Sequence, residues 1–264
     1  RLVASAALRT LRVVQCQLTD EALRALVPAS AGATMSALEE LVLDENLLED
    51  ASVVVDVVEA CASPAKSLRV LSLSRNAKLG RGLDTALAER VIRRGLVRRI
   101  HLDAVGSRMR RTVAAALLRA AAACTHHLRS LSLRGNHLTD DALRAFHAAT
   151  TSPTNASMKQ PPTLTRLDLR DNALTPGAAR LLIECLRKPT PLHTINVHAN
   201  DAMGIDLVSA IDGASRVKRQ ALALAAFVGS SEGVPAQFIK ADGDTAITRR
   251  IASFLLTHWV VSPF

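Results

Sequence analysis

Arginine is the residue with most chemistry to offer in this chain. Arg90, Arg93, Arg94, Arg98, Arg99, Arg108, Arg110 and Arg111 crowd one stretch. Guanidinium groups at that density bind carboxylate or phosphate through paired N–H donors. With a formal charge of +9 and a pI near 10.2, they point to an acidic partner: a protein surface, nucleic acid or an anionic membrane. Composition offers a second source for the charge. Arg and Ala dominate, Lys is scarce and Tyr absent, a bias that a GC-rich genome imposes without selection for binding. No aromatic side chain is interleaved with the arginines, which argues against stacking on single-stranded bases.

Catalytic constellations are missing. His101 and Asp103 share one strand and one face, but no nucleophile accompanies them. The chain has no GxxxxGK[ST], GxSxG or HExxH string. Cys16, Cys61, Cys124 and Cys185 stand far apart, as reduced packing thiols of an intracellular protein do. His126-His127 lacks partners at metal-ligand spacing. The expectation is a non-catalytic protein with no metal, no cofactor and no small-molecule substrate. No apolar run reaches the roughly 18 residues of a membrane span.

What positions these residues is a repeat. Leu-x-x-Leu-x-Leu-x-x-Asn-x-Leu appears cleanly from Leu38, Leu128 and Leu164. Weaker copies begin at Leu8 (with Cys16 for Asn), Leu68, Val97 (where Val105 replaces Asn) and Leu192. Starts at 8, 38, 68, 97, 128, 164 and 192 give spacings of 30, 30, 29, 31, 36 and 28. Each unit implies a short strand, a turn fixed by Asn and a helix, with Thr175-Pro176 marking one helix start. Strands and helices alternating at this length build an α/β solenoid, a horseshoe with parallel strands on its concave wall and helices outside. Each buried Leu or Ile contributes roughly 1.5–3 kcal/mol, enough per unit to support the stack.

The pattern resembles the ribonuclease-inhibitor type of leucine-rich repeat over about Leu2 to Ile211. The resemblance implies binding by an extended curved surface. It leaves the role open, because that family includes inhibitors, receptors, scaffolds and GTPase activators.

We read residues 1–211 as about seven repeats, with a polar, Pro-containing surface insert near 149–162. Residues 212–264 read as a helical C-terminal cap that seals the last repeat, or as a docking segment presenting Trp259 and Phe264. Within it, Ala221 to Val228 and a stretch after Asp244 read as helices. Arg1-Leu2 reads as the tail of a preceding helix in a fragment or processed form.

In each strand the leucines point inward, so the residues between them face the concave wall. Three rows result: Thr10, Glu40, Val70, Arg99, Ser130, Arg166, Thr194; then Arg12, Val42, Ser72, His101, Ser132, Asp168, Asn196; then Val14, Asp44, Ser74, Asp103, Arg134, Arg170, His198. Arg99, His101, Asp103, Arg134, Arg166, Asp168 and Arg170 are the candidate partner-binding residues, with the arginine cluster as a basic patch. The expected function is a protein-interaction scaffold, a subunit of an intracellular assembly with a cytoplasmic, cytoskeletal or organellar home. Its partner would present an acidic, tubulin-like surface or an RNA phosphate backbone. The alternative is a regulator of an enzyme such as a small GTPase.

Overall fold

A computed structural model describes residues 8–26, 37–61, 68–79, 83, 85–105, 109, 111–124, 126–151, 162–188 and 190–229. Trp259, Phe264, Arg108, Arg110 and the stretch after Asp244 lie outside them. Seven strands form one parallel sheet in chain order: β1 (Thr10–Arg12), β2 (Glu40–Val42), β3 (Leu68–Ser72), β4 (Val97–His101), β5 (Ser130–Ser132), β6 (Arg166–Asp168) and β7 (Thr194–Asn196). Between and after them run α1 (Asp20–Leu26), α2 (Ala51–Cys61), a π-helical segment (Leu87–Ile92), α3 (Arg111–Ala123), α4 (Asp140–Thr151), α5 (Pro176–Arg187) and α6 (Ile205–Gly229). This is a leucine-rich-repeat solenoid.

The register is that of the repeat. Thr10 pairs with Glu40, then Val70, Arg99, Ser130, Arg166 and Thr194 in a single row. Leu41, Leu71, Ile100, Leu131, Leu167 and Ile195 lie directly behind and are at most 1% exposed. A one-residue slip would turn each of these leucines outward, so burial itself enforces the register. The helices close the core from the other side. Five valines in α2 are poor helix formers, and all five are buried; packing holds that helix.

Turns are tied together by asparagine. Asn46 Oδ1 accepts the N–H groups of Cys16 and Leu18, both at 3.0 Å, while its Nδ2 donates to Val13 O and Leu43 O. Asn76, Asn136, Asn172 and Asn200 repeat the arrangement one unit on. At Val105 the side-chain acceptor is missing, though its own N–H still reaches Asn136 Oδ1 at 3.1 Å. The residue before each of these positions adopts a left-handed backbone: Gln15, Glu45, Arg75, Ala104, Gly135, Asp171 and Ala199 have φ between 49° and 68°. Only one is glycine, although the conformation costs an L-residue about 1–2 kcal/mol. The asparagine bonds on both sides hold it.

Thr175 caps α5, accepting Gly177 N–H with Pro176 at the first helical position, as the sequence predicts. α4 continues through Thr151, three residues into the stretch assigned to the insert. α6 is longer than the helix expected at Ala221 to Val228 and runs unbroken across residue 211. Its Ser215 Oγ accepts the Ile195 N–H at 3.4 Å, standing where a further strand would pair with β7.

Candidate functional site

The concave wall encloses an open depression of about 610 Å³ lined by Arg12, Val42, Asp44, Glu45, Val70, Ser72, Ser74, Arg75, His101, Asp103, Ala104, Arg134, Gly135 and Asp171. Its lining comes from outward residues of β1 to β4 and from the turns that follow β2 to β6. Most charges there are already engaged. Arg12 Nη2 meets Glu40 Oε2 at 3.1 Å and Arg75 Nη1 meets Glu45 Oε1 at 2.8 Å. Arg134 Nε meets Asp171 Oδ2, and Arg170 grips Asp168 through Nε at 3.0 Å and Nη2 at 2.7 Å. Exposed pairs of this kind contribute little stability, about 0–1 kcal/mol each, but they neutralise the surface that a partner meets.

Two carboxylates do a different job. Asp44 Oδ1 accepts from Ser72 Oγ at 2.6 Å and from Ser74 N at 2.8 Å. Asp103 Oδ1 likewise accepts from Ser132 Oγ and Arg134 N. The same strand-to-strand clasp recurs two repeats apart. Because Asp103 is so committed, it makes no hydrogen bond with His101 among the described residues.

Of the candidate residues, all seven concave ones lie on the wall where their rows place them. Apart from His101, they fall into two sets. Arg134, Arg170 and Asp168 are ion-paired and Asp103 is clasped to β5. Arg99 and Arg166 are exposed, and neither guanidinium meets a carboxylate among the described residues.

Among the described residues, the arginines of the basic patch divide between two layers of the fold. Arg90, Arg93 and Arg94 belong to the π-helical segment and its following turn. Arg90 bonds Glu59 at 2.5 Å and Asp56 at 2.9 Å, Arg94 bonds Glu59 at 2.8 Å, and Arg93 pairs with Glu89. The Arg90 guanidinium holds the Glu59 carboxyl below the usual carboxylate range. Arg111 starts α3 and meets Asp141 at 3.4 Å. Arg98 and Arg99 stand on β4, exposed and unbridged among the described residues. Clustering along the chain thus splits into paired helical-layer arginines and free strand arginines.

Clustering along the chain also misses two arginines and a histidine. Arg129 precedes β5 and donates to Thr163 O at 3.3 Å. His193 precedes β7, and Arg219 of α6 donates to Thr194 Oγ1 at 3.3 Å. Burial first, then the nearby Arg219 and Arg166 charges, push the His193 imidazole below its ordinary value. Arg129 and His193 were findable, since they hold the row position just before Arg99's row; Arg219 comes there only through the packing of α6.

All four cysteines are free, with Cys16 exposed and the others buried. No group of three or more potential metal ligands occurs among the described residues, and none of their helices is long and apolar enough to cross a membrane.

Seven strands, their asparagine ladder and a curved outer row define a repeat-built interaction module. A family model described as Leucine Rich repeat matches residues 125–146 and 160–182, the units around β5 and β6, in keeping with the leucine-rich-repeat solenoid fold. No curated protein matches it. It is similar to a chain in the crystal structure of the Rad7 and Elc1 complex in yeast, at 13% identity and a TM-score of 0.35. That likeness covers 78% of this chain and 60% of the yeast chain, less than two thirds of its length.

Proposed function

We propose that this protein is a non-catalytic interaction scaffold, a subunit of a larger intracellular assembly, and that it holds its partner on the concave wall. The observation that carries this is the contrast among concave arginines. Arg12, Arg75, Arg134 and Arg170 each have a carboxylate, whereas Arg99 and Arg166 on the same wall have none among the described residues. Exposed guanidinium groups left over on a curved binding face suit carboxylates supplied from outside. Four free thiols support an intracellular setting. The helix-bearing units support the ribonuclease-inhibitor type. The packing of α6 on β7 supports reading residues 212–264 as a cap or docking segment beyond the repeats.

A regulator of an enzyme such as a small GTPase is the alternative, and stoichiometry separates the two. Tagged protein is purified from its own cells at low and then high salt. A fixed set of subunits retained at high salt supports the scaffold. Recovery of a single enzyme, lost as salt screens the contact, would replace it with the regulator.

A further inference from the structure

The outward row of Arg99, Ser130, Arg166 and Thr194 has a neighbour one residue earlier in each strand: Arg98, Arg129, Thr165 and His193. From β4 to β7 these two rows contain no carboxylate. Arg219 of α6 leans onto the same end through Thr194. The corresponding positions on the first three strands are different, because Glu39 bridges Arg9 and Arg69, and Glu40 holds Arg12. A strip of Arg98, Arg99, Arg129, Arg166, His193 and Arg219 therefore has no acidic partner among the described residues along one rim, with serine and threonine hydroxyls between.

Its dimensions select the ligand. Two rows are about 7 Å wide at 3.3 Å per residue, and three inter-strand steps are about 14 Å long. The next rows toward the turns carry Asp103 and Asp168. A nucleic-acid duplex, with grooves about 12 Å and 6 Å wide, would lay phosphates over those carboxylates. An extended polypeptide stays within the strip. It advances about 3.3 Å per residue, so alternate side chains about 7 Å apart face the guanidinium groups.

We propose that the strand-entry rim of β4 to β7 is a docking strip for an extended, acidic segment of a partner protein. The proposal rests on the concave wall being the binding face. The probe is a labelled alternating Glu-Ser peptide of about eight residues, long enough to cross the strip. Its binding to the full chain is followed by fluorescence anisotropy. Arg99→Ser with Arg166→Ser should weaken binding about tenfold or more, as loss of two charge-assisted contacts implies. Arg119→Ser with Arg180→Ser, a charge-matched change of exposed arginines on α3 and α5, should leave it unchanged. Equal losses from both pairs, or tighter binding of duplex RNA than of the peptide, would overturn the strip.

The purified native partner separates this from the broader function. If it tolerates the rim variant but is lost on His101→Trp with Ser132→Lys, the concave wall stands and the strip falls. If it tolerates both, both fall.

Discussion

Lys218 offers the sharpest quantitative test of how the last repeat is closed. Its side chain, carried by α6, is fully buried, and Nζ donates to Lys188 O at 2.8 Å and Thr190 Oγ1 at 3.4 Å. It thereby satisfies a carbonyl just past the end of α5. Burial pushes the ammonium from its ordinary 10.5 down to about 8, with the Cys185 thiol as the nearby titratable group. At 1.36 kcal/mol per unit, charging this lysine in place costs about 3 kcal/mol. Below pH 8 it is charged folded and unfolded, and the full cost applies. Between 8 and 10.5 the folded protein releases its proton first, so the cost fades, and above 10.5 it is gone. Lys218→Met removes that cost but also a donor, worth about 0.5–1.5 kcal/mol as a neutral amine. Near pH 7 the variant should therefore be the more stable by about 2 kcal/mol. Near pH 10.5 it should be the less stable by about 1 kcal/mol. Urea unfolding of both proteins at both pH values measures this, and taking their difference removes other titrations. Cys61, pushed up to about 12 by burial, lowers the stability of both alike as pH rises above 9; Cys185, pushed up to about 11 chiefly by burial, does so too, apart from its smaller coupling to Lys218. A gap that does not change from pH 7 to 10.5 would refute the reasoning.

Three further outcomes follow from local geometry. Gly95 and Gly135 both have positive φ, but a Cβ at Gly95 would lie 2.4 Å from His126 Cβ, whereas at Gly135 the nearest atom is 3.6 Å away. Gly135→Ala should cost about 1 kcal/mol and Gly95→Ala about 3 kcal/mol, read by thermal melting. Asn136→Ala strips bonds from Val105 N and Leu102 O in a buried turn; it should cost about 3 kcal/mol, and a loss no larger than that of an exposed substitution would disprove the ladder's role. Maleimide should label one thiol quickly in the native protein, Cys16, and all four after denaturation; fast native labelling of Cys61 or Cys185 would contradict their burial.

Periodicity made the strands legible because it acts through burial. Leucines recurring at fixed offsets leave one register in which all are covered, so the three concave rows follow once the repeat is seen. Caps were legible for the same reason at Thr175, where residue type and position agree. Side-chain pairing was not, since it depends on which units lie side by side. Arg90 and Arg94 are separated by some thirty residues from Glu59, yet one repeat interval brings them together. Clustering along the chain does not show which arginines are paired, whereas the side-by-side packing of repeats does. Left-handed turns at Glu45, Arg75 and Asp171 carry no sequence mark, because the asparagine beside them removes the need for glycine. Ser215 and Lys218 escaped notice too, since a helix that fills the place of a missing strand has no periodic signature.

The central claim is that the partner sits on the concave wall, and photo-crosslinking tests it most directly. A photoreactive residue is introduced singly at Ser130 or Ser132 on the wall, and at Arg144 or Arg180 on the helices, and each variant is irradiated with its native partner. The account predicts crosslinks from Ser130 and Ser132 and none from Arg144 or Arg180. Crosslinks confined to the helical positions would place the partner on the outer face and contradict it.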